Sequence, residues 1–146
     1  MNILVSACLL GEPCRYDGQS KPCEAVRRLK EQHRLIPVCP EVLGGLSTPR
    51  APSERQSDGT VRNAEGVDVS EAYEKGAREA LRIARTHGCE LAILKEKSPS
   101  CGSGKIYDGS FSGTLTDGDG VCAELLKANG IRVLGESRVD GELKHS

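Results

Sequence analysis

Four short aliphatic runs punctuate the chain: Ile3 to Val5, Leu35 to Val38, Leu91 to Leu94 and Ile131 to Leu134. Each is bounded by turn-forming residues and reads as a strand. Between them the spacing becomes helical. Pro22 suits a first helical turn whose apolar face is Ala25, Val26 and Leu29. Asp68 and Glu71 stand like a capping box, followed by Val69, Ala72, Tyr73, Gly76, Ala80, Ile83 and Ala84 at helical intervals, with Gly88 as the stop. A last helix is expected from Val121 to about Asn129, with Val121, Cys122, Leu125 and Leu126 inward and Gly130 ending it. The polar tail after Gly135 is expected to fray. Alternating strands and helices predict an α/β fold: a single small domain over residues 1–146, with a mostly parallel sheet flanked by helices and right-handed crossovers.

Two connections, Cys39 to Val67 and Glu96 to Gly120, are too long for bare links, and loops of that length in compact domains are usually functional or disordered. Tyr16-Asp17-Gly18 and Tyr107-Asp108-Gly109 echo one another, which is read as shared turn chemistry rather than duplication.

Composition narrows the class. With 3% aromatic residues and no Trp, the core must be mainly aliphatic. A net charge of −1 supplies no global field for nucleic acid, although a local patch is compatible with it. No apolar stretch approaches a membrane span, and the start of the chain runs into a strand rather than a signal peptide, so a cytoplasmic location is expected. An odd number of cysteines, seven, without a secretory signal argues against a disulfide framework.

The placement of three of those thiols carries the chemistry. Cys8, Cys39 and Cys101 each lie just beyond an aliphatic run, in a Gly/Pro-rich turn. If the runs are parallel strands, all three emerge at the carboxyl edge of one sheet, where ligands of open α/β sheets collect. Cys89 precedes its strand and belongs at the opposite edge, and Cys122 falls on a core face. Cys23 sits in a first turn, while Cys14 shares a loop with Cys8 and is a candidate fourth ligand. His33 and His87 fall at helix ends and His145 in the tail, so neither a Cys-His nucleophile nor a mixed Cys/His zinc site is visible. Three thiolates without imidazole suit a soft metal or an iron–sulfur cluster with one open coordination position. Spacing alone leaves open zinc, a redox thiol or plain packing. A redox-sensing protein would pair Cys8 with Cys14 or Cys23, and a zinc-binding interaction module would close the site with Cys14.

The longer motifs are more specific. V-S-A-C-L-L-G-E-P-C-R-Y-D-G (Val5 to Gly18), V-C-P-E-V-L-G-G-L-S-T-P-R (Val38 to Arg50) and L-K-E-K-S-P-S-C-G-S-G-K-I-Y-D-G-S-F (Leu94 to Phe111) resemble the thiouracil desulfurase family across nearly the whole chain. The resemblance implies a 4Fe-4S cluster held by Cys8, Cys39 and Cys101. It also implies non-redox removal of sulfur from thiolated uracil, the thione sulfur binding the open iron and water replacing it. Related domains act on thiouridine in RNA; this chain shows no added RNA-binding domain, so a small thiolated pyrimidine is expected in preference to transfer RNA. The oligomeric state is not legible.

Glu41, two residues after Cys39, is the expected proton-handling group, since a carboxylate shielded beside a cluster is placed to move protons near neutral pH. A capping or salt-bridge carboxylate is its structural alternative. Ser98 and Ser100, flanking Pro99 next to Cys101, are expected to orient the pyrimidine or the water, or else simply to form a turn. Arg15, Asp17, Arg50 and Lys95 are candidates for a uracil edge or a phosphate, and Arg50 could instead pair with Glu54 to pin the long loop.

Overall fold

The structure, a computed structural model, describes residues 1–143, so His145 lies outside the described residues. Strand β1 (Asn2–Ser6) runs into a 3-10 turn at Ala7–Leu10. Helix α1 (Glu24–Arg27), extended by a 3-10 turn at Arg28–Glu31, leads to β2 (Arg34–Val38) and at once to α2 (Pro40–Leu43). A hairpin of β3 (Ser53–Arg55) and β4 (Val61–Asn63) precedes the long helix α3 (Ser70–Thr86) and β5 (Leu91–Leu94). A second hairpin, β6 (Lys105–Tyr107) and β7 (Leu115–Asp117), leads to α4 (Val121–Ala128), β8 (Arg132–Gly135), a 3-10 turn at Glu136–Arg138 and α5 (Val139–Leu143).

The four aliphatic runs form one parallel sheet in the order β2-β1-β5-β8, with Ser6 opposite Val38 and Ile93 opposite Val5. Successive strand residues face opposite sides, and both sides are covered. Leu4, Ile36, Ala92, Leu94 and Val133 pack under Ala77, Ala80 and Ala84 of α3 and Ala123 and Leu126 of α4. Ile3, Val5, Leu91, Ile93 and Leu134 pack with Val26 of α1 and Val139 of α5 on the other side. Two-sided burial is why these strands read as unbroken aliphatic runs.

Chain order makes β1 the pivot. From β1 the chain moves to β2 on one side, then crosses back through α3 to β5 on the other. That reversal opens a crevice beyond the carboxyl ends of β1 and β5, where ligands of such sheets bind.

The two connections too long for bare links each fold an antiparallel hairpin. Two expectations need correction. The tail does not fray at once after Gly135: Val139 is buried among the α1-side core, which anchors α5. Asp68 and Glu71 do not form a capping box, because α3 starts at Ser70 after Val69 without a side-chain cap bond. Asp68 Oδ1 instead accepts the Ser70 backbone N–H at 2.9 Å in a local turn. The Y-D-G echo is shared turn geometry: Asp17 and Asp108 each accept the backbone N–H two residues ahead, at 3.0 and 2.9 Å.

Candidate active site

The carboxyl edge of the sheet delivers Cys8 from the turn after β1, Cys39 directly after β2, and Cys101 from the loop after β5. All three line one cavity of about 570 Å³. Local structure fixes each loop. Ser98 Oγ accepts the backbone N–H groups of Ser100 and Cys101 at 3.1 and 3.0 Å, closing the S-P-S-C turn that presents Cys101. Ser6, at the end of β1, accepts the Lys95 N–H at 2.9 Å and donates to Cys101 Sγ at 3.4 Å, tying β1 and the segment after β5 to the third thiol. The Cys14 carbonyl receives Arg50 Nη2 at 3.1 Å and, when Cys39 is a thiol, its S–H at 3.7 Å.

The thiols differ in acidity. Burial, reinforced by the nearby Cys39, pushes Cys8 up to about 11. Burial pushes Cys101 well above the ordinary thiol range. Cys39 is drawn down to about 7, chiefly because the Cys14 thiol donates to its thiolate, with the Val42 backbone N–H also helping against burial. Cys14 is raised in turn by that same bond.

Among the described residues, no three His, Cys, Asp or Glu side chains converge closely enough to hold a single metal ion. A closed zinc site would need its sulfurs about 2.3 Å from one centre. What exists is an all-sulfur donor set spread around a cavity. That arrangement fits a polynuclear iron–sulfur group, in which each thiolate binds a different iron and the thiolates need not converge on one centre.

Glu41, on α2, lines the same cavity. Its Oε1 accepts the Tyr73 hydroxyl at 2.5 Å and Arg50 Nε at 3.4 Å, leaving Oε2 without a hydrogen-bond partner among the described residues. The Arg50 side chain is 7% exposed and pairs with Glu41, not with Glu54. Glycines make the Tyr73 bond possible: a Cβ on Gly76 would stand 1.8 Å from the Pro40 carbonyl oxygen, and one on Gly44 1.9 Å from that of Ala72. Only glycine lets α2 and α3 approach so closely. Tyr73, read from the sequence simply as part of an apolar helix face, was thereby missed as a site residue. Its signal was chemical, since a buried tyrosine hydroxyl usually finds a partner.

The remaining candidates separate. Arg15 and Lys95 line the cavity, Lys95 being paired with Glu136 at 3.0 Å. Asp17 is not in the lining. Ser98 lines the cavity, whereas Ser100 is fully buried outside the lining, its hydroxyl without a hydrogen-bond partner among the described residues. Among the described residues, Lys97 and Phe111 are the non-glycine residues with positive φ, at 69° and 57°, and both line this cavity. Backbone strain of that kind, about 1–3 kcal/mol per residue, concentrates at functional sites. Cys89 and Cys122 are buried in the α3/α4-side core, and Cys23 packs at the edge of the other.

A family model described as 2-thiouracil desulfurase matches residues 3–138. An uncharacterized Bacillus subtilis (strain 168) protein, YbbK, is 45% identical over 94% of this chain and 97% of its own length. The solved structure of a 4Fe-4S-dependent thiouracil desulfidase, TudS, superposes with a TM-score of 0.90 at 46% identity, covering 96% of this chain and 93% of that one. The chain belongs to the 2-thiouracil desulfurase family.

Proposed function

We propose that this member of the family is an enzyme that desulfurates a thiolated uracil, with Cys8, Cys39 and Cys101 holding a 4Fe-4S cluster and the whole of residues 1–146 serving that one site. The observation that carries the reading is the convergence of three thiols from three strand ends on one cavity that Glu41 also lines. A relative named as a 4Fe-4S-dependent thiouracil desulfidase supports it.

A cluster held by Cys8, Cys39 and Cys101 would supply Lewis-acid activation of the thione. The chain's own residues do the rest. Glu41 Oε2 receives the proton of the attacking water, while Tyr73 and Arg50 hold the carboxylate through Oε1. Ser98 orients the pyrimidine or the water from the opposing loop, besides fixing the Cys101 turn. Ser100, outside the cavity lining, contributes through the turn that presents Cys101, where its backbone N–H meets Ser98 Oγ. Water supplies the product oxygen and sulfide leaves, so no net electrons are consumed. A free thiolated base or nucleoside is preferred to thiouridine in transfer RNA, given the net charge of −1 and a cavity of about 570 Å³.

The test is anaerobic. Protein with a reconstituted cluster should be brown, carry iron and acid-labile sulfide, and convert thiouracil to uracil with one equivalent of sulfide. Protein that loads the cluster fully yet releases no sulfide from thiouracil would overturn the reading, and faster turnover of thiolated transfer RNA would reverse the substrate preference.

A further inference from the structure

Phe111 is an aromatic ring where the chain could have hidden one. It is 40% exposed, sits in the left-handed region at φ 57°, and lines the cavity mouth in a chain with few aromatic residues. A bulky residue in that conformation is an outlier that surrounding structure must enforce. The enforcing group is Glu54, on the other hairpin. Its Oε1 accepts the backbone N–H of Gly109 at 2.9 Å and that of Phe111 at 3.1 Å. Gln56 adds a bond from Nε2 to the Gly109 carbonyl at 3.3 Å. The two hairpins are thus locked together at the turn that carries the ring.

We infer that Phe111 is the stacking platform for the pyrimidine ring of the substrate, and that Glu54 is the positioning residue that holds it there. The inference rests on the desulfuration reading for the identity of the substrate, and it assigns ring recognition to a loop distinct from the three thiol-bearing turns. An exposed ring held in an unfavourable backbone conformation buries little core surface. A flat heterocycle over its face gives it a role, and base–aromatic stacking is a strong, sequence-tolerant contact.

The experiment compares two thiones on anaerobic holoprotein: thiouracil, which has the ring, and thiourea, which has the same N–C(=S)–N group without it. Uracil binding is measured in parallel by calorimetry. Phe111→Ala should lower the thiouracil-to-thiourea ratio of kcat/KM by about tenfold or more, mainly through KM, with uracil binding weakened to match. Phe111→Trp should keep the ratio and Phe111→Leu should not, since leucine covers the same surface without a π face. Glu54→Ala should reproduce the Phe111→Ala ratio. Glu54→Gln, which keeps an oxygen acceptor for both N–H groups, should restore it. An unchanged ratio in Phe111→Ala, or an equal fall for both thiones, overturns the inference. If wild-type holoprotein desulfurates neither thione, the activity reading fails, whereas the stacking role is still decided by uracil binding.

Discussion

The Tyr73 hydroxyl donates to Glu41 Oε1 at 2.5 Å across the contact between α3 and α2. Burial, with the Glu41 charge beside it, pushes the Tyr73 hydroxyl far above its ordinary value, so it stays a donor throughout the range where proteins work. The bond occupies one carboxylate oxygen and thereby aims the other. Glu41→Gln should retain iron and lose turnover by roughly 10²–10⁴, the range for a general acid–base group. Tyr73→Phe should lose less, roughly 10–100-fold, because one hydrogen bond to a charged group contributes about 1.5–3 kcal/mol. Turnover of Tyr73→Phe equal to wild type would reduce this contact to packing.

Iron content sorts the thiols. Alanine at Cys8, Cys39 or Cys101 should abolish cluster loading under anaerobic reconstitution, while Cys89→Ala should load normally, since Cys89 lies at the far edge of the sheet. Cys14→Ala is the discriminating variant. Iron retained there fits three protein ligands and an open iron; iron lost would mean a fourth thiolate and no open position.

Cys39 should also announce itself in the iron-free protein. Its folded value of about 7 lies below the ordinary thiol value of 9.0, so the thiolate form is favoured by folding. That contribution to stability is complete above the ordinary value and is lost as pH falls through about 7. Anaerobic alkylation followed by peptide mapping should therefore label Cys39 at lower pH than an ordinary thiol and well before Cys8, which burial holds up to about 11. Cys14→Ala removes the hydrogen bond responsible and should move the Cys39 midpoint upward. A midpoint that stays put would show that the Cys14 thiol is not its cause.

The source of oxygen tests the chemistry itself. Incubating anaerobic holoprotein with thiouracil in isotopically heavy water should place one heavy oxygen in uracil without any added electron donor. Dependence on a continuous supply of reductant would require a redox mechanism instead.

The close approach of α2 and α3 can be tested directly. Gly76→Ala would set a methyl against the Pro40 carbonyl, a backbone group with nowhere to move. Overpacking of this kind costs about 1–3 kcal/mol or more, and here it displaces the segment bearing Cys39 and Glu41. A lower Tm together with reduced iron content is the expected pair of results. A normal iron content at a lower Tm would separate the helix contact from the site.

How much of this was legible in the sequence follows from where each signal resides. Leu91 to Leu94 reads as a strand because parallel strands covered on both faces need unbroken aliphatic runs. The carboxyl-edge position of Cys8, Cys39 and Cys101 then follows from chain direction alone. The hairpins were hidden because their strands are three residues long, and Leu115–Asp117 is exposed throughout, so no periodicity could form. Val139 was hidden because its neighbours in the tail are polar or glycine. The partner of Arg50 was beyond local reasoning: Glu54 is nearer in sequence, but the turn after α2 brings Glu41 to the guanidinium instead. Tyr73 and Ser6 escaped because their roles depend on contacts between elements distant in sequence.

On this reading, the thiols drawn from β1, β2 and β5 give the cluster a mechanical duty as well as a chemical one. A group bonded to three distant points of one chain binds only where folding brings those points together, so its binding free energy adds to the stability of the fold. Oxidative loss of the irons would then take away both the reagent and the staple. Air damage and unfolding would become successive stages of a single decay.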